Sequence, residues 1–258
     1  MSMHVIANPG RRWIVLFAVF VSLFLQASPI SAQESPGRNV STETTYFDSS
    51  GFRVDAFLAK PSGSGKHPAV LVIHDSQGLN EAIREIARQF AAEGYVALAP
   101  DFTSRLGGTR TPEQMTAAVN QLSPTNSLQD ARSAFAFLQS DRDVDAQNIS
   151  VVGFGWGGWR SFTLAGSTPE VYRAVVYCAT TPAENAGSLR TPVLAHYAQF
   201  DFRTTGNALV TEKQMNEIGK TFSYFVYSQS YRGFYFPGAQ YNADAANQAW
   251  KRTLEFLK

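Results

Sequence analysis

The sequence predicts an α/β fold in one domain, with a mostly parallel central sheet, helices on both faces and an antiparallel hairpin at the start. Three observations predict it. Continuous apolar runs such as Ala69–His74 (AVLVIH) read as strands buried on both faces, the mark of a parallel sheet. These runs alternate with longer stretches whose apolar residues recur at helical spacing. At the centre, Ile149–Trp159 (ISVVGFGWGGW) passes from a β-branched run through four glycines into an apolar segment, which reads as strand, tight turn and helix.

Taken in order, Thr42–Phe47 and Phe52–Lys60 flank Asp48-Ser-Ser-Gly51 as a hairpin. Ala69–His74 is the next strand. Leu79–Glu93 carries Leu79, Ile83, Ile86, Ala87 and Phe90 at helical spacing and stops at Gly94. Tyr95–Pro100 is a buried strand. Thr111-Pro112 opens a helix to about Leu122, and Ser127–Gln139 forms a second one. After the central strand–turn–helix come strands at Ala174–Ala179 and Pro192–Tyr197, a helix over Ala208–Gly219, a strand at Thr221–Tyr227 and a helix over Tyr241–Leu257.

Charge and targeting bound the function. Arg11 and Arg12 precede thirteen residues, Trp13–Leu25, that are apolar except Ser22, and Ser28–Ala32 ends in small residues. This is the pattern of a secretory signal peptide cleaved after Ala32, too short for the roughly 20 residues of a membrane span. Residues 1–32 are therefore expected to be a signal peptide, 33–41 a flexible polar segment, and 42–258 the folded domain of an exported, periplasmic protein without a stable membrane span. Losing residues 1–32 leaves 20 basic and 21 acidic residues, so nothing suggests a nucleic-acid partner. Cys178 is the only cysteine and cannot form an internal disulfide. His67, His74 and His196 show no zinc-type spacing with it, so no metal is expected.

The glycine turn satisfies two spacings. G-x-G-x-x-G is the dinucleotide fingerprint, and G-x-Nu-x-G-G is the nucleophile elbow, whose central residue projects over the sheet edge. Context favours the elbow. A dinucleotide turn joins the first strand to the first helix, and an acid ends the next strand. Here the turn lies past residue 150 and the next strand ends in Tyr177-Cys178-Ala179. The position of a Ser or Cys nucleophile is Gly155.

Over most of residues 42–258 the chain resembles the dienelactone hydrolase family. The stretches that carry the resemblance are VIHDSQGLN (Val72–Asn80), AAEGYVALAPDF (Ala91–Phe102), GFGWGGW (Gly153–Trp159), AVVY (Ala174–Tyr177), HYAQFD (His196–Asp201) and YNADAANQAWKRTLEFL (Tyr241–Leu257). The resemblance implies an α/β-hydrolase fold and cofactor-free cleavage of small esters or lactones by a Cys-His-Asp triad. The family elbow is G-x-C-x-G-G, so Gly155 stands at the cysteine and cannot attack a carbonyl. The triad acid matches Asp201. Alignment from Phe222–Tyr227 puts Arg232 at the histidine, and an arginine is no general base near neutral pH. Asp75 matches a family glutamate near the nucleophile, and Arg105, in PDFTSR, matches an arginine that recognises the substrate carboxylate.

The remaining candidates follow from these. The backbone N–H of Trp156 is placed to face an anion at a helix N-terminus. Arg232 is expected to pair with Asp201. Ser76 follows Asp75 towards the cleft, Cys178 reads as a buried thiol, and His74 and His196 read as core histidines. Trp156, Trp159, Tyr231, Phe234, Tyr235 and Phe236 form an aromatic set of the kind more often found in cores than around ligands. The leading expectation is a pseudo-hydrolase that binds a small, candidate-anionic carboxylate or carbonyl compound. The alternatives are an active ester or lactone hydrolase using Ser76, Cys178 or a water activated by Asp75 or Asp201, and a partner-binding scaffold exposing Tyr231–Phe236.

Overall fold

Eight strands form one sheet in the order β1-β2-β4-β3-β5-β6-β7-β8. The computed structural model describes residues 39–107, 110–181 and 189–258, so the expected signal peptide and the segment 33–38 lie outside the described residues. Strands β1 (Val40–Ser49) and β2 (Phe52–Pro61) make the antiparallel hairpin, and β2 pairs antiparallel with β4 (Val96–Pro100). From there the sheet is parallel through β3 (His67–Ile73), β5 (Val144–Phe154), β6 (Ala174–Tyr177), β7 (Val193–Ala198) and β8 (Phe222–Tyr227).

Both faces of the parallel strands are covered, as continuous apolar runs require. In β3, Leu71 and Ile73 enter one core while Val70 and Val72 enter the other, the period-2 alternation of a pleated strand. The first core takes side chains from α2 (Pro112–Gln121), α3 (Pro124–Ser140), α4 (Trp156–Ser167) and α5 (Phe202–Glu217). The second takes Ile83, Ala87 and Phe90 of α1 (Glu81–Ala92) with Ala245, Ala249 and Leu257 of α6 (Ala243–Leu257). A short 3₁₀ turn covers Ser104–Leu106.

Local chemistry sets the helix ends. Asn80 caps α1, accepting from the Ile83 amide at 3.1 Å, and Gly94 at φ +100° lets the chain leave it. Thr111 and Gln114 form a capping box on α2, with Pro112 in the first turn. Ser123 and Pro124 do similar work for α3, which therefore starts three residues before the expected Ser127. Helix α5 starts six residues before the expected Ala208. Phe202 on its first turn is 77 % exposed, so no apolar period announces that turn. Strand β1 begins at Val40 and takes in the last two residues of the segment expected to be flexible. Among the described residues no helix is long and apolar enough to cross a membrane.

Candidate functional site

The carboxyl end of β5 turns into α4 within one residue. Gly155 has φ +50° and ψ −108°, a conformation that L side chains rarely adopt, and its N–H donates to the Tyr177 carbonyl at 2.8 Å. Such a sharp turn presents its central residue to solvent above the sheet. A Cβ placed on Gly155 would sit 3.5 Å from Asp75 Cβ, 3.6 Å from Arg232 Nη2 and 3.6 Å from the Tyr235 hydroxyl. Those are ordinary van der Waals contacts, so the turn has room for a side chain that the sequence does not supply.

Asp75, Gly155 and Arg232 thus converge as the sequence places them, and Tyr235 joins them. A cleft of two lobes opens here. The larger, about 590 Å³, runs from Gly155 and Trp156 to Trp159, Arg160 and Arg203. The smaller, about 370 Å³, runs from Asp75 and Gly155 to Tyr235 and the Pro237–Gln240 loop. Ser76, Trp156 and Arg232 line both. The Asp75 carboxylate accepts the Gln77 amide at 2.8 Å, yet burial pushes its pKa above the usual carboxylate value. Burial likewise drives the Tyr235 phenol well above its ordinary value, keeping it a neutral hydrogen-bond donor. The backbone N–H of Trp156, first in α4, has no backbone acceptor among the described residues.

Two expectations need correction. Arg232 makes no ion pair with Asp201 within 4.0 Å. Its Nη2 lies against the elbow instead, 3.6 Å from where a Cβ on Gly155 would stand. Asp201 stays at the start of α5, where its Oδ2 is buried without a hydrogen-bond partner. Arg105 is not in the cleft lining. Its Nη2 and Nε grip the buried Asp130 carboxylate at 2.6 and 2.8 Å, Nη2 also reaches the Ser49 carbonyl, and the guanidinium lies over Phe52. A buried carboxylate on α3 claims it.

The histidines and the thiol sit where the sequence puts them. His74 is fully buried. Its Nδ1 lies 2.7 Å from the Asp75 carbonyl and its Nε2 accepts the Phe102 amide at 3.2 Å, so Nδ1 carries the proton. His196 is fully buried between the Tyr227 hydroxyl, 2.9 Å from Nδ1, and the Thr253 hydroxyl, 3.0 Å from Nε2. Burial pulls its pKa down to about 3. Cys178 is buried, and desolvation followed by the nearby Asp201 charge pushes its pKa up to about 12. Sequence reasoning missed Tyr235, Arg160 and Arg203 as cleft residues. Tyr235 was legible only as part of the aromatic set, of which Phe234 is fully buried and Tyr231 is 53 % exposed.

An eight-stranded sheet in this order, with a sharp glycine turn from β5 into a helix, defines an α/β-hydrolase. The chain belongs to the dienelactone hydrolase family, whose sequence profile matches residues 54–258. A "Putative carboxymethylenebutenolidase" of Methylorubrum extorquens is 26 % identical over 275 aligned positions, covering 96 % of this chain and 92 % of that protein. The crystal structure of a "Putative Dienelactone Hydrolase" from Klebsiella pneumoniae superposes with a TM-score of 0.78 at 24 % identity, covering 85 % of this chain and 98 % of the other. A dienelactone hydrolase-like promiscuous phosphotriesterase from metagenomic libraries follows at 0.75 and 19 %, covering 84 % and 97 %. At these identities the two structures speak to the fold alone.

Proposed function

We propose that the protein is an exported pseudo-hydrolase of the dienelactone hydrolase family. In this reading it has lost ester and lactone cleavage and keeps a cleft for a small carboxylate or carbonyl ligand. The observation that carries the reading is Gly155, an elbow with space for a nucleophile and no side chain to fill it. Covalent catalysis also needs a base within hydrogen-bond reach. Arg232 cannot serve. Each of the three histidines among the described residues lies outside the cleft lining, and two have both ring nitrogens engaged in the core. Cys178 is no substitute, since a buried thiol with a pKa near 12 supplies no thiolate at neutral pH. Export rests on the pattern of residues 1–32.

One specific feature favours a second reading, hydrolysis by an activated water. The Asp75 carboxyl is raised and lines the cleft, and Asp201 keeps an unpartnered oxygen.

A single series of assays separates the two. The protein is purified from the periplasm, where its first residue is expected to be Gln33; recovery only from the cytoplasm would overturn export. Hydrolysis of an activated aryl ester and of a dienelactone is then compared for wild type, Asp201→Ala, Asp75→Asn and the double variant Gly155→Cys/Arg232→His. Wild type is expected to be silent and the double variant to gain turnover. Wild-type turnover abolished by Asp201→Ala or Asp75→Asn would replace the pseudo-hydrolase with the water-activating enzyme.

A further inference from the structure

Among the described residues, the larger lobe of the cleft is lined by three arginines, Arg160, Arg203 and Arg232, and by no carboxylate. None of the three pairs with a carboxylate within 4.0 Å among the described residues. Arg203 is exposed at the mouth and Arg232 is half-buried at the elbow. Either is unremarkable alone, because water can serve a guanidinium at a surface.

Arg160 is different. It is only 9 % exposed, one turn into α4. Its protein acceptors are both neutral and both distant, the Ser127 hydroxyl at 3.5 Å from Nε and the Trp156 carbonyl at 3.4 Å from Nη1. The guanidinium lies 3.6 Å from the centroid of the Trp156 ring and 4.7 Å from that of Trp159. Cation–π contact offsets part of the desolvation, but supplies no acceptor for the N–H groups left over. Burial accordingly pulls its pKa down to about 10. The Trp156 indole Nε1 beside it is also buried without an acceptor. Arg105 shows what a structural arginine looks like in this chain, with a buried carboxylate held at 2.6 Å. A buried cation without a counter-charge is unfavourable unless something brings the charge to it.

The cations form two stations. Arg232 overhangs Gly155, next to the Trp156 N–H that has no backbone acceptor among the described residues, whereas Arg160 rests on the ring of Trp156. Both stations line the same lobe of about 590 Å³. A monocarboxylate can engage one station and leaves Arg160 or Arg232 unmatched.

We propose that the larger lobe binds a small dicarboxylate, one carboxylate held by Arg232 and the Trp156 amide and the other by Arg160, with Arg203 at the entrance. This deepens the binding half of the proposed function and rests on it. Guanidinium forks match carboxylates bidentately, so both ends are recognised by shape as well as charge.

Isothermal titration calorimetry at low salt tests it with propionate, succinate, fumarate, phthalate and inorganic phosphate. At least one dicarboxylate is expected to bind saturably and tenfold or more tighter than propionate. Arg160→Met should cut dicarboxylate affinity at least tenfold and reduce the advantage of dicarboxylate over propionate to less than threefold, with a melting temperature equal to or above wild type as the check on folding. Arg232→Met should weaken both ligands. Equal affinity for propionate and every dicarboxylate, or an Arg160→Met variant that binds dicarboxylates normally, would overturn the proposal and leave the binding cleft standing. Phosphate binding as tightly as the best dicarboxylate would overturn it in favour of one compact anion. If no carboxylate binds at all, the binding cleft itself falls. Ester turnover by a wild type that also binds dicarboxylate would remove the pseudo-hydrolase and keep the dicarboxylate.

Discussion

Four glycines build the turn from β5 into α4, and they divide three to one. A Cβ on Gly157 would collide with the carbonyl oxygens of Ile73 and His74 and approach Ile73 Cγ2 to 2.7 Å. One on Gly153 would collide with the Gly157 carbonyl, and one on Gly158 would come within 2.7 Å of Ala179 Cβ. These three are glycine because the helix must lie directly on β3, β5 and the end of β6. Gly155 meets nothing closer than 3.5 Å. At Gly155 the constraint is the backbone conformation, φ +50°, and not close packing. The contrast shows that the scaffold of a hydrolase elbow is set by backbone proximity, independently of the group that would react on it.

Gly157→Ala breaks that contrast hardest. The obstacles are backbone carbonyls of a central strand, which cannot swing aside as a flexible side chain can. The expected loss exceeds about 3 kcal/mol, a large share of the stability of a typical domain. Urea unfolding monitored by tryptophan fluorescence checks it, and a loss below about 1 kcal/mol would mean that α4 shifts away from β3 at little cost.

A second effect separates the core from the cleft by pH. His196 titrates from about 3 in the folded chain against an ordinary 6.5, and burial depresses His74 too. Between those values the unfolded chain binds the extra proton, so stability is complete above pH 6.5 and declines as pH falls below it. His196 alone contributes roughly 1.4 kcal/mol per pH unit, or about 2 kcal/mol by pH 5. Asp75 acts in the opposite sense. Its raised folded pKa means that protonation below that value favours the folded chain, a partial offset from one carboxyl against two imidazoles. Urea midpoints at pH 7.5 and 5 should fall in that order, and equal midpoints would show that the core histidines are not held neutral.

The same division explains what the sequence discloses. The strands of the sheet centre are legible because burial on both faces leaves only apolar residues, and the elbow is legible because its close packing admits only glycine. That Arg232 falls beyond Tyr227 near the cleft is legible by counting from the last strand. Its direction is not, because the sequence does not say whether the guanidinium turns to Asp201 or to the elbow. Arg105 is misleading for a related reason: its motif is intact, but Asp130, twenty-five residues on and buried in α3, takes its guanidinium. Arg160 is invisible to pattern. Only the fold lays it between two indoles with no acid beside it.

Gly155→Cys is the mildest change and the sharpest for the comparison. Its Cβ meets nothing closer than 3.5 Å, so the expected cost is that of a side chain in an unfavoured backbone conformation, about 1 kcal/mol at the low end of the usual range. The new thiol would lie near Arg232 Nη2, and a cation at that distance favours the thiolate. It should therefore react with iodoacetamide at neutral pH within minutes. The wild type, whose single thiol at Cys178 is buried and has a pKa near 12, should remain unlabelled while folded. Mass spectrometry of tryptic peptides distinguishes the two cysteines. A destabilisation by Gly155→Cys as large as that of Gly157→Ala would mean that the four glycines are alike after all and that the space at the elbow is closed, whereas rapid labelling at Cys178 would mean that its thiol is not buried. A labelled, stable variant would show that the elbow holds a reactive side chain beside Arg232 at little cost to the fold.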